Sequence, residues 1–160
     1  MMILSALDRA RAFGLLAVAL VLAAFAARAD APLRTAQIRV GPHPMKVEIV
    51  ETDPQRAKGL MFREKLGRDD GMLFIYDQAE YQSMWMKNTL IPLSVAFLDA
   101  NGVILNIEDM EPQTLDSHMS AGPASYSIEA NRGWFAAKKI KPGDRVTGLP
   151  SLPRSTHPKK

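Results

Sequence analysis

One apolar segment constrains the architecture of this chain more than any other feature. Residues 71–76 read GMLFIY and carry no charged side chain. A strand with one wet face would have a polar residue at every second position, whereas an unbroken apolar run indicates a strand that is covered on both faces. The sequence therefore predicts a central strand of the core sheet at this point.

The next segment, residues 81–99, predicts two more strands of the core sheet. It reads YQSMWMKNTLIPLSVAFLD, and a polar group followed by Pro92 separates a strand at 81–87 from a strand at 94–98. The pattern also predicts that three large side chains of this sheet are buried: Phe74, Val95 and Phe97.

Shorter elements complete the expected domain. Alternating or apolar patterns predict further strands at 37–40, 46–51, 103–107, 126–130 and 145–148. Helices are expected at 54–58, with Asp53 as N-cap, and at 132–139, with Asn131 as N-cap. Residues 108–123 are expected to form a long functional or mobile loop. The predicted fold is α+β and mainly β, with a strongly curved sheet or small barrel and two short helices.

The first residues predict export. Arg9 and Arg11 precede an apolar run at 13–25, and Ala27-Arg28-Ala29 has the small-x-small pattern of a cleavage site. The run is shorter than the ~20 residues that span a bilayer, so the sequence favours a cleaved signal peptide over a retained signal anchor. We expect an exported protein, periplasmic or secreted, without stable membrane insertion after cleavage.

The expected boundaries are a signal peptide at 1–29, a flexible leader at 30–35, one globular domain at 36–148 and a disordered tail at 149–160. Removing the signal peptide takes away three arginines and one aspartate, so the formal net charge falls from +3 to +1. A near-neutral domain gives no electrostatic basis for nucleic-acid binding. The chain has no cysteine, so packing rather than disulfides has to stabilise the exported domain.

Several motifs resemble those of one known family. They are GLMFRE at 59–64, GMLFIY at 71–76, WMKNTLIPLSVAFLDANGVI at 85–104, Glu129-Ala130-Asn131, and IKPGD at 140–144. Together they resemble the domain of unknown function 192 family, a set of small, often exported, uncharacterised proteins. The resemblance implies a compact, mainly β domain and brings no established reaction. Some relatives carry cysteines in the loop at 108–123, and their absence here weakens any redox or thiolate-metal role.

A polar cluster is the first candidate site. Its members are Arg63, Trp85, Lys87 and Asn88, supported by Thr89. They offer a bidentate cationic fork, an aromatic wall, a point charge and an amide, which together predict recognition of a small anionic or sugar ligand. In the structural alternative, the arginine forms an ion pair with a nearby acid, and the lysine and asparagine only satisfy backbone groups.

A set of methionines and a histidine is the second candidate site, for Cu(I). Alternation along the predicted strand puts Met84 and Met86 on one face, opposite to Trp85, and His118 and Met119 lie in the long loop. Thioether and imidazole ligands select Cu(I) without the oxidation risk of a thiolate. Methionine is also ordinary core filler, so the set has a structural alternative as well.

The third candidate is a small hydrolase, based on Asp116-Ser117-His118. Neighbours in sequence do not have the spacing of a catalytic triad, and the chain has no nucleophile elbow. The sequence therefore favours a non-enzymatic ligand-binding module, with the Cu(I) protein and the hydrolase as alternatives and no cofactor expected. Exposed Arg63 and Lys87 would favour the first, a methionine near His118 the second, and a carboxylate paired with His118 the third.

Overall fold

A computed structural model describes residues 32–152 of the chain. The predicted signal peptide at 1–29, residues 30 and 31 of the predicted leader, and residues 153–160 of the predicted tail lie outside the described residues.

Strands dominate the described part of the chain. The strands are β1 (Thr35–Val40), β2 (His43–Val50), β3 (Asp70–Glu80), β4 (Ser83–Met84), β5 (Leu93–Leu98), β6 (Ile104–Met110), β7 (His118–Met119), β8 (Ala124–Asn131) and β9 (Val146–Thr147). The helices are α1 (Asp53–Lys58) and α2 (Trp134–Ala137).

Seven of these strands form one strongly curled sheet, a half-barrel, in the order β6-β5-β8-β3-β2-β1-β9. This confirms the predicted mainly β fold with a curved sheet and two short helices. β3 lies in the middle of the order, as its unbroken apolar sequence predicts. β2 and β3 pair in parallel, and α1 lies in the connection between them. β4 and β7 form a separate two-stranded sheet.

The two edges of the curled sheet meet at one end. Val103, just before β6, forms an antiparallel bridge with Arg145, just before β9. The Ile104 N–H donates to the Asp144 carbonyl at 2.9 Å, and the Val146 N–H donates to the Gly102 carbonyl at 2.8 Å. β9 also pairs with β1, so this seam joins the last strand of the domain to both the first strand and β6.

Apolar clusters cover both faces of the sheet. The first cluster takes side chains from all seven strands of the half-barrel and from α2. The second cluster lies on the opposite face of β3, β5 and β8, where Leu60 and Met86 of the connecting segments cover it. Phe74, Val95 and Phe97 belong to this second cluster and are at most 1% exposed, so their predicted burial is confirmed.

The predicted strand at 81–87 is wrong as a member of the core sheet. Only Ser83 and Met84 are in a strand, and they pair with β7. Beyond them the backbone pairs with the loop after β6, because the Met86 N–H donates to the Thr114 carbonyl at 3.2 Å. The alternation of this segment nevertheless remains: Met86 is fully buried, while Trp85 is 51% exposed.

Both predicted helices differ from the structure at their ends. Thr52, not Asp53, is the N-cap of α1, and it forms a capping box with Gln55. Asn131 belongs to β8, and its side-chain amide donates to the Gly67 carbonyl at 2.8 Å, so it does not cap α2. The second helix is also shorter than predicted, with Gly133 as its N-cap.

The predicted loop at 108–123 is partly regular: β6 runs to Met110, and β7 lies within the segment. The described ends of the chain also make contacts with the domain. Leu33 packs against the second cluster, and Leu149 and Leu152 pack against the first. No helix within residues 32–152 is both long and apolar enough to cross a membrane.

Candidate functional site

A cleft of about 510 Å³ opens between α1, the segment that follows it, and the ends of β3 and β4. Its walls carry aliphatic, aromatic and thioether side chains: Leu60, Met61, Phe74, Tyr76, Met84 and Trp85. Charged side chains also line it, namely Asp53, Arg56, Lys58, Asp77 and Glu80. The polar part of the lining also includes Gln78, Gln82, Ser83, Thr89 and Glu129.

Local sequence features hold α1 against the sheet and shape one side of the cleft. After α1 the chain turns at Gly59, whose φ is +45°, and a Cβ there would lie 3.4 Å from the Phe74 ring. On the other side, the pairing of β3 with β8 shifts register between Ile75 and Glu80. Such irregularities often border functional sites, because they redirect side chains at the end of a strand.

Arg56 links α1 to β3 at the edge of the cleft. Its guanidinium donates to the Glu51 carbonyl at 2.8 Å and to the Ile75 carbonyl at 2.7 Å. It also forms ion pairs with Asp53 and, at 3.2 Å, with Asp77. These partners occupy the guanidinium, so Arg56 acts as a structural link more than as a free anion-binding group.

Glu129 is the most unusual residue of the cleft. It lies on β8, opposite Met72 of β3 and Val95 of β5, and is only 4% exposed. Burial raises the pKa of Glu129 from 4.5 to about 8, and no charge or hydrogen bond from the described residues offsets this effect. The carboxyl group is therefore mostly protonated at pH 7. An unpartnered polar group of this kind carries a desolvation cost that a ligand could offset.

Tyr76 and Thr89 supply further hydroxyl groups. The Tyr76 hydroxyl lies 2.9 Å from the Ser127 hydroxyl and 3.6 Å from the Met84 sulfur, and burial raises the pKa of Tyr76 to about 12. Thr89 is 5% exposed and donates from its hydroxyl to the Lys87 carbonyl at 3.4 Å. Both residues remain neutral at pH 7, so they can contribute hydrogen bonds but no charge.

The structure separates the predicted polar cluster into two groups. Trp85 and Thr89 line the cleft, whereas Arg63, Lys87 and Asn88 do not. The Arg63 guanidinium binds both carboxylate oxygens of Glu48, at 2.9 and 2.5 Å. Sequence proximity could not reveal this partner, because Glu48 comes from β2.

Lys87 and Asn88 lie beside the cleft. The Lys87 ammonium lies 5.6 Å from the centre of the Trp85 ring, within the range of a cation–π interaction. Asn88 has a φ of +56°, and its carbonyl accepts from the Phe62 N–H at 2.9 Å. Asn88 therefore joins two adjacent loops through its backbone.

The predicted copper ligands are also divided. Met84 and His118 are direct cross-strand partners in β4 and β7, so their side chains share a face. Met86 is fully buried in the second cluster, and Met119 is 47% exposed opposite Ser83. Within the described residues, no three side chains among His, Cys, Asp and Glu are grouped as a metal site.

His118 is held by a carboxylate but has one free nitrogen. Its Nδ1 lies 2.9 Å from the Glu108 carboxylate. Its Nε2 is buried and has no hydrogen-bond partner among the described residues. The Ser117 hydroxyl is 2.7 Å from that of Ser83 instead. The carboxylate–histidine pair expected for a hydrolase is thus present, but no serine of residues 32–152 joins it as a nucleophile.

Sequence reasoning missed Glu129 as a site residue. Ser125, Ser127 and Glu129 alternate with apolar residues along β8, a pattern typical of a strand with one wet face. The face is dry because segments distant in sequence cover it. The one available signal was the motif Glu129-Ala130-Asn131, which contributes to the family resemblance.

Comparisons with known proteins agree with the fold. The model of the DUF192 family, described as an uncharacterized ACR, matches residues 35–148. One similar solved structure, a "putative transcription regulator" from Sinorhizobium meliloti 1021, is 32% identical with a TM-score of 0.70 and covers 73% of this chain and 95% of its own.

A second similar structure is a protein of unknown function from Novosphingobium aromaticivorans DSM 12444. It is 34% identical, with a TM-score of 0.68, and the match covers 76% of this chain and 95% of that chain. A comparison with curated proteins finds no match. The family model covers all seven strands of the curled sheet and every residue of the cleft, and the chain therefore belongs to the DUF192 family.

Proposed function

We propose that this domain is a non-enzymatic module that binds a small polar ligand in the cleft beside α1. The observation that carries the proposal is the buried, unpartnered carboxyl group of Glu129 in the lining of an open cleft. Trp85, half exposed in the same lining, adds an aromatic surface on which a ligand can stack. A concave site with apolar walls and few polar groups is typical of small-molecule binding.

The sequence predicts an anionic or a sugar ligand, and these two classes of ligand would meet different groups in the cleft. Arg63 is paired with Glu48, and Arg56 is paired with Asp53 and Asp77. An anion would find these guanidinium groups occupied and would approach the Glu129 carboxyl. A sugar would meet neutral hydrogen-bonding groups and the Trp85 ring, so it is the better of the two.

A thermal-shift screen of sugars, organic anions and amines tests the proposal. A ligand of the cleft should raise the melting temperature of the wild type, and Trp85→Ala should reduce that shift. Tyr81→Ala is the matched control, since Tyr81 is an exposed aromatic residue outside the cleft lining. Ligands whose shifts are equal in Trp85→Ala and wild type, or the absence of any shift, would contradict the proposal.

We also propose that the domain is exported after cleavage following Ala29, as the first 29 residues suggest. Intact-mass analysis of protein recovered from the periplasm or medium should give a chain that begins at Asp30. A full-length chain in the membrane fraction would contradict this. A role in nucleic-acid binding is not proposed, because the domain is near neutral in charge.

A Cu(I)-binding function is the second candidate, and one observation favours it. His118 presents a buried Nε2 without a partner among residues 32–152, and Glu108 fixes the other nitrogen in the manner of an outer-shell carboxylate. Met84, its cross-strand partner, would add a thioether. Competition with a chromophoric Cu(I) chelator should show binding that His118→Gln removes and His43→Gln retains. Equal competition by both variants would contradict this candidate.

A further inference from the structure

We propose that the ligand of the cleft carries a basic nitrogen, as a primary ammonium or guanidinium group, that binds the carboxyl group of Glu129. This inference rests on the proposed binding function and deepens it by naming the ligand class. Three independent features of the cleft lead to it: a carboxyl group without a cationic partner, an excess of acidic over basic side chains, and walls made of aromatic and thioether side chains.

The first feature is that the carboxyl group of Glu129 lacks a cationic partner, while the guanidinium group of Arg56 in the same lining is fully engaged. Arg56 donates to two backbone carbonyls and pairs with Asp53 and Asp77. Within the described residues, no cation or hydrogen-bond donor offsets the burial of Glu129. A buried carboxyl group without a partner is a site where a charged donor gains a strong hydrogen bond.

The second feature is the charge of the lining. Because Glu129 is mostly protonated at pH 7, the charged acidic side chains of the lining are Asp53, Asp77 and Glu80, whereas its basic side chains are Arg56 and Lys58. Acids therefore outnumber bases. This excess repels an anionic ligand and attracts a cationic one.

The third feature is the composition of the walls. Trp85 and Tyr76 provide aromatic surfaces, and Met61 and Met84 provide thioethers. A cation near an aromatic ring is stabilised by the ring quadrupole, and the alkyl stem of an amine packs on thioethers. Lys87 already lies near the Trp85 ring, which shows that this ring accepts a cationic neighbour.

Binding of such a ligand must be coupled to a proton. The ligand nitrogen donates an N–H to the carboxylate, and the proton that the carboxyl group held leaves for solvent. The titratable groups that line the cleft with Glu129 are Tyr76, Asp77 and Glu80 of β3 and Asp53, Arg56 and Lys58 of α1, while the neighbouring strand β5 places the apolar Val95 opposite Glu129. Affinity should therefore increase about tenfold from pH 6 to pH 7, about fivefold from pH 7 to pH 8, and then level off.

Calorimetric titration of the purified protein tests this inference with chosen probes. Agmatine and butylamine supply the basic nitrogen, butanol and glucose are neutral comparisons, and acetate is the anion. We expect the two bases to bind, with affinity rising about 50-fold from pH 6 to pH 8 and about one proton released per ligand at pH 6. Glu129→Gln should weaken their binding at least tenfold and remove the pH dependence.

Glu80→Gln is the matched control, because it neutralises another acid of the lining and should retain the pH dependence. Neutral or anionic probes that bind in a Trp85-dependent way, while the bases do not, would overturn this inference and leave the binding module standing. Bases that bind without proton release would also overturn it, whether or not the glutamine variant folds. If no probe binds at all, the proposed function fails together with the inference.

Discussion

The buried carboxyl group of Glu129 makes the stability of the domain depend on pH. Its pKa is raised from 4.5 to about 8 because burial disfavours the charged form. Between these two pH values the folded state holds a proton that the unfolded state has released. The folded state therefore loses stability as the pH rises through this window, and the loss is complete above about pH 8.

The first prediction is that the free energy of unfolding of the wild type falls by about 4 kcal/mol from pH 4.5 to pH 8 through this residue alone. Glu129→Gln removes the titrating group, so its stability relative to wild type should grow across the window. Urea unfolding at intervals of one pH unit measures both curves. Glu80→Gln, at an exposed position, should follow the wild type. Parallel curves for wild type and Glu129→Gln would contradict the prediction.

The second prediction concerns the ion pair of Arg63 with Glu48. The two side chains are 39% and 31% exposed, so solvent screens the pair, and neither charge is left fully buried when the other is removed. Arg63→Ala should lower the free energy of unfolding by about 1 kcal/mol, and the effect should shrink in high salt. Lys87→Ala, which removes only an exposed cation–π contact, should stay within about 0.5 kcal/mol.

Denaturant unfolding at low and high salt checks these values. A loss of about 3–5 kcal/mol for Arg63→Ala would mean that the pair behaves as a buried network instead.

At the scale of secondary structure, α1 matters because it forms one side of the cleft without a buried residue of its own. It depends on its capping box and on Arg56 to stay against β3. The third prediction is that Thr52→Ala lowers the free energy of unfolding by about 1 kcal/mol, since the backbone N–H of Gln55 loses the hydroxyl group that accepts its hydrogen bond. Asp53→Ala should cost less, because Asp53 is largely exposed.

Thermal unfolding of both variants compares the two positions. A larger loss for Asp53→Ala than for Thr52→Ala would assign the N-cap to Asp53, as the sequence suggested.

The elements differ in how well sequence predicts them, and the reason is physical. Residues 71–76 are apolar at every position, so the segment alone predicts burial on both faces of the strand. Residues 81–87 alternate, and alternation reports which side chains are buried but not which backbone forms the hydrogen bonds. The backbone carbonyl of Thr114 accepts the hydrogen bond from this segment, and only the whole fold determines that these two segments lie side by side.

The site follows the same rule. Trp85 and Thr89 were predicted as site residues and lie in the cleft, because their types and positions suit a binding surface. The predicted grouping of Arg63 with them could not include Glu48, which pairs with it from β2. The alternation along β8 does not indicate that Glu129 is a site residue, because the residues that line the cleft with it, including Leu60 and Thr89, come from other parts of the chain.

At the scale of the whole molecule, the seam between the two edges of the sheet holds the half-barrel in its curled form. Gly102 lies in this seam with a φ of +75°, and a Cβ there would lie 2.6 Å from the Val146 carbonyl oxygen. Gly143 also has a positive φ, of +92°, but a Cβ there would meet nothing within 4 Å. Alanine at Gly143 would therefore add only the strain of a positive φ, whereas alanine at Gly102 would add the same strain and also disturb the seam.

The fourth prediction uses this pair. Gly143→Ala should lower the free energy of unfolding by about 1–2 kcal/mol, the cost of a left-handed conformation alone. Gly102→Ala should cost about 1–3 kcal/mol more, because the added methyl group forces β9 away from β6. Chemical denaturation of the two variants measures the difference. Equal losses would mean that the seam contributes little to stability.

The seam also sets the order in which the domain can be completed during synthesis. β1 is made first, yet one of its two neighbours is β9, the last strand of the domain. A nascent chain that lacks residues 146 and 147 therefore keeps an open edge on β1 and cannot join that edge to β6. The complete native sheet can therefore form only after nearly the whole domain has left the ribosome.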